Sequence, residues 1–377
     1  MNPSLWEKES FLSPADILIA GSGFVGLWSA YHLKKKNPRL RITVIDRGYI
    51  PTGASTRNAG FACFGSVTEL IKDSFTMGDD NMLTLVEMRH RGLEKITNTF
   101  RKKQIDYTNV GGYELIPAIQ KDKYSELKDQ VKWLNKLLRG VTNVKKTFSF
   151  ADEKIKQFGF AEVGHIIFNE LEGYLHPGKL CQQLMLKVQA MGVNIVPATE
   201  ITHHESKADG ITVHTNRNFS LRGERLLICT NGFAKQLLPD LEIVPARGQV
   251  LVTAPLPSLK FKGTFHYDEG YYYFRNLGNR ILIGGARNLA VDEETTTALD
   301  TTSLIQETLE NFISRHLLPR TPFKITDRWS GIMGLGAEKM PIIKKLNDRL
   351  FCAVKMSGMG VALAPVAGEQ IASMMND

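Results

Sequence analysis

The chain has 377 residues, of which 43% are apolar and 23% are charged, a composition that predicts a globular protein large enough for two domains. No apolar run approaches the roughly 18–20 residues that cross a bilayer, so the sequence predicts no membrane span. The formal net charge of +8 comes from small scattered basic clusters without interleaved aromatic residues, so we expect a solvated basic surface and no nucleic-acid partner.

The first residues and the cysteines bear on the compartment. Residues 1–9 have neither the basic segment nor the apolar segment of a secretory signal. The cysteines are widely spaced and include no C-x-x-C pair; they are Cys63, Cys181, Cys229 and Cys352. We therefore expect reduced thiols in a cytoplasmic protein and no disulfide framework.

A dinucleotide-binding pattern begins at Asp16. An apolar strand leads into Gly21-Ser-Gly23-Phe-Val-Gly26, a helix is predicted over about residues 24–36, and a second apolar strand ends at Asp46. Strand, G-x-G-x-x-G, helix, strand and acid in this order are the fingerprint of a dinucleotide-binding unit. Gly21 permits the tight turn, Gly23 the close approach of a pyrophosphate, and Gly26 close packing of the helix on the strand. Asp46 is placed to accept hydrogen bonds from a ribose diol.

A stretch of small and polar residues, 53–61, follows this acid, where a nicotinamide enzyme usually continues with further strand–helix units. Its hydroxyls and backbone N–H groups suit a long phosphate-bearing ligand. The stretch reads Gly-Ala-Ser-Thr-Arg-Asn-Ala-Gly-Phe, and it resembles the G-A-S-x-R-N-x-G segment of the FAD-dependent D-amino-acid oxidase, glycine oxidase and sarcosine oxidase family. The resemblance implies FAD, with Ser55–Arg57 near the pyrophosphate and Asn58–Phe61 beside the flavin ring.

Helices and strands are predicted along the rest of the chain from the spacing of apolar residues. Helical stretches are expected over about residues 67–103, 121–138 and 180–191, and from Val361 onward. Strand patterns occur at about residues 113–118, 193–197, 226–232, 246–253, 271–275, 280–287 and 350–354. The block that starts at Ala246 predicts an antiparallel sheet with one face covering a site.

Motifs of the same family occur in order over essentially the whole chain. They are H-P-x-x-L at His176, T-N-G at Thr230, A-R-G-Q-V at Ala246 and S-G-M-G at Ser357. The resemblance implies an α/β (α+β) fold in which a Rossmann-type FAD-binding domain is interleaved with an antiparallel-sheet substrate domain. The implied FAD-binding domain spans residues 1–75, 160–235 and 325–377, and the substrate domain spans 76–159 and 236–324.

The resemblance also implies the residues of the site. Those expected to bind FAD are Gly21, Gly23, Phe24, Val25, Gly26, Asp46, Arg47, Ser55, Thr56, Arg57, Asn58, Ala59, Gly60, Ile201, Thr230, Asn231, Gly232, Gly331, Gly358, Met359 and Gly360. Those expected around the substrate are Phe61, Phe64, Tyr272, Arg287, Trp329 and Met333. The flavin-attachment cysteine of sarcosine oxidase aligns with Gly331, so we expect non-covalent FAD.

Two further patterns concern electrostatics and metals. Gly358–Gly360 opens a helix whose positive end is expected to stabilise an anionic reduced flavin. His203-His204 lacks the helical i,i+4 spacing of a two-histidine metal site, so we interpret this pair as surface residues and predict no metal.

Departures from the family pattern concern the substrate. In glycine oxidase, an arginine in a G-L-R-P type segment pairs with the substrate carboxylate, and this chain has Met333 at that position. A second arginine of glycine oxidase, in its C-terminal segment, corresponds to Gly358. Losing both bidentate partners argues against a simple α-amino acid. Motifs around Arg57, Tyr273 and Ser357 resemble instead γ-glutamylputrescine oxidase, a subgroup that oxidises an amine without an adjacent carboxylate, although Ala59 replaces its usual glycine.

We therefore expect oxidation of the C–N bond of a small-molecule amine, with hydride passing from the α C–H to flavin N5, hydrolysis of the imine, and oxygen as acceptor.

Four alternatives to this function stay open. A D-amino-acid or glycine-type oxidase would bind the carboxylate through Arg275 or Arg287. A dehydrogenase would use another acceptor, since the oxygen-activating lysine of sarcosine oxidase has no counterpart in residues 280–284. The others are a tRNA-modification enzyme, whose FAD domain shares this fold and an R-G-Q-V segment, and a flavin-holding protein without turnover. The sequence leaves the oligomeric state undetermined.

Overall fold

Two eight-stranded sheets organise the chain in the computed structural model, which describes residues 3–376. Met1, Asn2 and Asp377, which the predicted domain boundaries include, lie outside the described residues. The mixed α/β fold predicted from the sequence is confirmed, and the boundaries between the two domains stay a prediction.

Ten α-helices lie within residues 3–376. They are α1 (Leu5–Glu9), α2 (Phe24–Lys36), α3 (Ala54–Arg57), α4 (Val67–Met77), α5 (Asp79–Thr99), α6 (Tyr124–Thr142), α7 (Glu153–Phe158), α8 (Pro177–Ala190), α9 (Ser303–Phe312) and α10 (Gly360–Met374). None of these helices combines the length and the apolar character that crossing a bilayer requires.

The strands of the described residues are numbered in chain order. They are β1 (Ala15–Ala20), β2 (Ile42–Ile45), β3 (Phe61–Ala62), β4 (Gly112–Pro117), β5 (Phe148–Phe150), β6 (Val163–Asn169), β7 (Gly173–Tyr174), β8 (Asn194–Val196), β9 (Ile201–Lys207), β10 (Gly210–Thr215), β11 (Ser220–Ile228), β12 (Val244–Thr253), β13 (Thr264–Tyr267), β14 (Tyr272–Leu277), β15 (Arg280–Gly285), β16 (Ile325–Leu335), β17 (Ile342–Lys345) and β18 (Leu350–Val354).

The first sheet has a parallel centre in the order β8-β2-β1-β11-β18, with β17 and the β9–β10 hairpin added antiparallel. Its central strands are apolar almost throughout, as expected for a parallel sheet covered on both faces. Helix α10 packs against both α2 and α5 beside this sheet. Because β1, β2, β11 and β18 run in the same direction, the residues that follow them meet at one edge of the sheet.

The second sheet has the order β16-β12-β15-β14-β13-β4-β6-β5. Its neighbours are antiparallel except β13 and β4, which pair parallel. The antiparallel pairing predicted for the block that starts at Ala246 is confirmed for β12, β15, β14 and β13. The whole sheet is mixed because β4, from the first third of the chain, enters beside β13 in the same direction. Phenylalanines on one face, including Phe265 and Phe274, pack with Phe312 of α9 in a core of their own.

Most predicted elements occur near their expected positions, but β9, β10, β16 and α9 were not predicted, and one helical region differs. The predicted helix over 67–103 is two helices, α4 and α5, which meet at Gly78. Gly78 has a φ of +82°, a conformation that favours glycine and ends the first helix. The four cysteines are buried free thiols, as expected for reduced residues.

Candidate functional site

A cavity of about 610 Å³ begins at the carboxyl edge of the parallel strands and extends to the second sheet. Gly21 follows β1, Asp46 follows β2, Thr230 follows β11 and Met356 follows β18, and all four line it. A crevice at this edge is where open parallel sheets bind nucleotide ligands. The fold thus brings the predicted fingerprint residues to one wall of a single cavity.

Asp46 is fixed by the glycine-rich turn itself. Its Oδ2 accepts hydrogen bonds from both the backbone N–H and the hydroxyl of Ser22, each at 2.7 Å, and its Oδ1 accepts from the N–H of Gly48 at 2.9 Å. A carboxylate has about four acceptor positions, so it can still accept from a ribose hydroxyl. Ser22, which sequence reasoning passed over, therefore holds the acid in place.

The N-terminus of α2 is joined to the 53–60 segment. The N–H of Phe24 donates to Oγ of Ser55 at 2.8 Å, and a Cβ atom on Gly23 would lie 2.9 Å from that same oxygen. A Cβ atom on Gly26 would lie 2.0 Å from the carbonyl oxygen of Gly21, which confirms close packing of the helix on the turn. Glycine at both positions thus keeps side chains away from the helix N-terminus at the cavity, which suits a phosphate.

The 53–60 segment is tied to β16 from behind. The Arg57 guanidinium donates to the carbonyl oxygens of Thr52 at 2.8 Å and Ser330 at 2.9 Å. The indole N–H of Trp329 donates to the carbonyl oxygen of Arg57 at 2.9 Å. Trp329 therefore supports this segment and does not line the cavity, so its predicted place around the substrate is wrong.

Most of the predicted cofactor residues line the cavity. These are Gly21, Gly23, Phe24, Val25, Asp46, Arg47, Ser55, Arg57, Asn58, Ala59, Gly60, Ile201, Thr230, Asn231, Gly331, Gly358, Met359 and Gly360. Three others lie behind its wall: Gly26 packs on the turn, the Thr56 hydroxyl donates to the Pro51 carbonyl, and Gly232 packs against the backbone of Met333. Their predicted contact with a cofactor stays a prediction.

Among the predicted substrate residues, Phe61, Arg287 and Met333 line the cavity, whereas Phe64 and Tyr272 do not. Phe64 is fully buried in a separate cluster with Val67 and Phe148. The Tyr272 ring stacks on Phe312, with centroids 5.0 Å apart. Both predictions of a cavity position are therefore wrong.

Strand alternation explains the error at Tyr272. Successive residues of a strand face opposite sides of the sheet. Tyr271 and Tyr273 line the cavity while Tyr272 points to the layer of α9. The period of two, applied along β14, would have identified Tyr273.

A buried charge pair, absent from the predictions, stands at the cavity wall. Nε2 of His266 lies 3.0 Å from Oε2 of Glu172, and the His266 ring meets the ring of Phe61 edge-on, with centroids 5.4 Å apart. Burial lowers the pKa of His266, but Glu172 and two further buried carboxylates outweigh burial and raise that pKa to about 9. The cavity thus carries an imidazolium beside Phe61 at neutral pH.

Cys63 lies beside this pair, and one ligand atom from each of Cys63, Glu172 and His266 falls within 4.8 Å of the others. In the metal-free protein, protonation opposes metal binding by two of these three residues. The imidazolium has no free lone pair at the nitrogen that faces Glu172. Burial also raises the pKa of the Cys63 thiol well above its ordinary value, whereas a thiolate is the ligand form.

A second charged group comes from α4 and the segment after β16. Nζ of Lys339 lies 2.7 Å from Oδ1 of Asp73 and 2.9 Å from Oε1 of Glu69. Burial opposes ionisation of Glu69, but Lys339 and Arg89 outweigh it and lower its pKa to about 2, whereas burial raises the pKa of Asp73. Oδ2 of Asp73 is buried and has no hydrogen-bond partner among the described residues, and Asp73 lines the cavity.

Two further residues of the cavity carry a buried oxygen that has no hydrogen-bond partner in the part of the chain that the structure describes. Oγ1 of Thr230 and Oγ of Ser357 are buried without a hydrogen-bond partner in residues 3–376, and both residues line the cavity. Unpaired buried hydroxyls are costly, so a polar ligand is expected to satisfy them. Together with the free N-terminus of α2 and the ordered Asp46, they fit a dinucleotide such as FAD.

Comparisons with known proteins agree with this geometry. Residues 16–374 match the DAO family, described as FAD dependent oxidoreductase. The chain is 24% identical to the probable oxidoreductase OrdL of Haemophilus influenzae, covering 95% of this chain and 82% of that protein. It is 23% identical to gamma-glutamylputrescine oxidoreductase of Escherichia coli, covering 96% and 83%. The structure of glycine oxidase from Geobacillus kaustophilus superposes with a TM-score of 0.77 at 19% identity, covering 96% and 95%, which shows a shared fold.

Proposed function

This chain belongs to the DAO family of FAD-dependent oxidoreductases, and from that premise we propose that it oxidises the C–N bond of an amine whose reacting carbon bears no carboxylate. FAD is its cofactor and supplies the two-electron acceptor for this oxidation when bound. The name of the Escherichia coli relative, gamma-glutamylputrescine oxidoreductase, supports an amine of this kind.

The observation that carries the proposal is the unpaired oxygen of Asp73. Asp73 lines the cavity, and a buried carboxylate oxygen without a partner calls for a hydrogen-bond donor, which an ammonium or amide N–H of an amine substrate would provide. Met333, which has no charge, lies on the same cavity wall where the resemblance places the carboxylate-binding arginine of glycine oxidase. Asp73 and Met333 therefore support a substrate that presents a hydrogen-bond donor and has no α-carboxylate at this part of the wall.

The residues around the proposed substrate divide into apolar and polar groups. Phe61, Tyr273 and Met333 present rings and a thioether that exclude water from a substrate in the cavity. Asp73 anchors a donor group and so orients the carbon that reacts. The imidazolium of His266 provides a fixed positive charge beside Phe61.

A second candidate function, oxidation of an α-amino acid, rests on Arg287. Its side chain lines the cavity and makes no ion pair with any described residue, so it can receive a carboxylate. Arg275 cannot, because its guanidinium donates to the carbonyl oxygen of Ala59 at 2.7 Å, stacks on Tyr174 and is buried. A preference for amino acids that disappears in Arg287→Met would select this candidate.

Oxygen is the proposed electron acceptor, and a small molecule the proposed partner. A cavity of about 610 Å³ is of a size for a small-molecule substrate and is far too small to hold a tRNA, which speaks against a tRNA partner. Mixing the photoreduced protein with aerated buffer tests the acceptor: reoxidation within a catalytic turnover supports oxygen, and persistence of reduced flavin points to a quinone or protein carrier.

The test of the proposed function is flavin reduction without oxygen. The FAD-loaded protein is mixed anaerobically with amino acids, with polyamines and with γ-glutamylated amines, and the bleaching of the flavin absorbance is followed for each. Amines lacking the adjacent carboxylate are expected to reduce the flavin fastest. Fast bleaching by glycine, sarcosine or D-alanine would overturn the proposal.

A further inference from the structure

The β9–β10 hairpin places two imidazoles and a carboxylate on one face, outside the cavity. His203 of β9 stands directly opposite His214 of β10, and their rings are stacked with centroids 4.1 Å apart and planes 7° apart. Glu205 lies two positions along β9, and alternate residues of a strand share a face. The three side chains are exposed or half-buried. The pairing of β9 with β10 thus brings these three side chains together. Helical i,i+4 spacing, the criterion applied to His203-His204 in the sequence, cannot detect a cluster formed across two strands.

Hydroxyls engage one nitrogen of each ring. Oγ1 of Thr202 lies 3.2 Å from Nδ1 of His203, and Oγ of Ser220 lies 3.1 Å from Nδ1 of His214. A partner on one ring nitrogen fixes the tautomer and turns the other nitrogen toward a metal. Nε2 of His214 is shielded from solvent and has no hydrogen-bond partner in the described part of the chain. With Nδ1 of each ring engaged by a hydroxyl, Nε2 is the nitrogen that each ring would offer to a metal once the rings turn.

The donor atoms already have nearly the spacing of a tetrahedral site. Nε2 of His214 lies 3.5 Å from Oε1 of Glu205, and one ligand atom from each of the three side chains falls within 4.8 Å of the others. Two ligands of a tetrahedral zinc ion with bonds of about 2.0–2.1 Å are about 3.3–3.4 Å apart. The stacked rings must turn about χ2 to converge on one ion, a torsion that is soft for histidine. Nζ of Lys207 lies near Oε2 of Glu205, which leaves Oε1 for the ion.

We propose that His203, Glu205 and His214 bind one divalent transition-metal ion, with water in the fourth position. Two imidazoles and one carboxylate are a ligand set that suits zinc and excludes magnesium and calcium, which take oxygen ligands. The ion would join β9 to β10 two residues from Ile201, which lines the cavity. This site is independent of the proposed substrate, because none of its three ligands lines the cavity.

Calorimetric titration of the metal-free, FAD-loaded protein with zinc chloride tests the site. The wild-type chain is expected to bind one zinc ion at this site, and His203→Ala and His214→Ala to weaken binding at least about tenfold. His204→Ala is the matched control, since His204 is adjacent but points the other way, with Nε2 3.3 Å from the carbonyl oxygen of Leu237. It should bind zinc as the wild type does.

Thermal unfolding with and without zinc is the second measurement. Zinc should raise the melting temperature of the wild type and of His204→Ala, and should raise that of His203→Ala or His214→Ala by a smaller amount at the same zinc concentration. Glu205→Gln changes an exposed residue without disturbing the core, and it should weaken zinc binding while leaving the melting temperature of the metal-free protein unchanged. Equal affinity in the wild type and the histidine variants, or equal loss in His204→Ala, would overturn the proposal.

Discussion

The sulfur of Met333 lies 3.4 Å from the position that a Cβ atom on Gly358 would occupy. These are the two positions at which the resemblance places arginines in glycine oxidase, and the fold brings them together at the cavity wall although they come from β16 and from the turn before α10. One region of the wall has therefore lost both of its charged groups. The specificity of the site is expected to depend on this pair.

Restoring a charge at Met333 should restore binding of amino acids. Met333→Arg places a guanidinium in the cavity, and a charge-assisted hydrogen bond to a carboxylate contributes about 1.5–3 kcal/mol, or roughly ten- to a hundredfold in affinity. We expect D-alanine or glycine to reduce the flavin of this variant faster than that of the wild type. Met333→Leu, which keeps the volume without the charge, is the control and should show no such gain. Equal rates in both variants would count against the assignment.

Gly23→Val should abolish FAD binding. The new Cβ atom meets Oγ of Ser55 at 2.9 Å, so the valine displaces the hydroxyl that accepts from Phe24 and fills the space before the helix N-terminus. The ratio of flavin to protein absorbance after purification measures the loss. Gly140→Ala is the control: Gly140 lies in α6, and a Cβ atom there would have no neighbour within 4 Å.

Acid precipitation of the wild-type protein addresses the linkage of the cofactor. We expect yellow flavin in the supernatant, which means non-covalent FAD. Cys63 and Cys229 line the cavity, but burial raises the pKa of both thiols and keeps them protonated and unreactive. A yellow pellet would show a covalent bond and would direct attention to these two residues.

His266 predicts a loss of stability at alkaline pH. Its pKa of about 9 in the folded protein exceeds the ordinary value of 6.5, so the folded state binds the proton more tightly than the unfolded state. The resulting stabilisation is fully present below pH 6.5 and is lost as the pH rises through 9, by an amount on the order of 1–3 kcal/mol. Urea unfolding between pH 6 and 9.5 measures it, and Glu172→Gln should flatten the decline. An equally steep decline in that variant would exclude this pair as the cause.

Asp73→Asn should weaken amine binding. The variant keeps the shape of the side chain but removes the charge, so an ammonium group loses a charge-assisted hydrogen bond, and we expect roughly a ten- to hundredfold higher Kd for the amine. The Kd comes from the dependence of anaerobic flavin reduction on amine concentration. Asp80→Asn, at the exposed start of α5, is the matched control and should leave the Kd unchanged.

The nucleotide half of the site could be predicted from the sequence because its residues are local. The turn at 21–26, the acid Asp46 and the 53–60 segment lie within one short stretch, and a β-α-β unit determines their relative positions. The parallel strands then carry Thr230 and Met356 to the same edge. The dinucleotide-binding unit could therefore be predicted from the residue pattern, and FAD from the family resemblance.

The substrate half could be predicted only in part because its residues meet through tertiary packing. Asp73 and Lys339 are far apart in the sequence and meet between α4 and the segment after β16. His266 and Glu172 meet through the second sheet, where the parallel pairing of β13 and β4 was not predictable from apolar spacing. Trp329 and Phe64 are aromatic residues in or beside segments that reach the cavity as predicted. Only tertiary packing decides whether such a ring lines the cavity or supports its wall from behind.

The most direct test of the account compares two molecules that differ only by the carboxylate. Putrescine is ornithine without its α-carboxyl group, so the ratio of their anaerobic flavin-reduction rates, with both enantiomers of ornithine, isolates the contribution of that group. We predict that putrescine reduces the flavin at least about a hundredfold faster than ornithine does, because a buried carboxylate without a charged partner costs several kcal/mol. The same ratio is expected for γ-glutamylputrescine and the corresponding ornithine derivative. Faster reduction by either enantiomer of ornithine would contradict the account and would assign the carboxylate to Arg287.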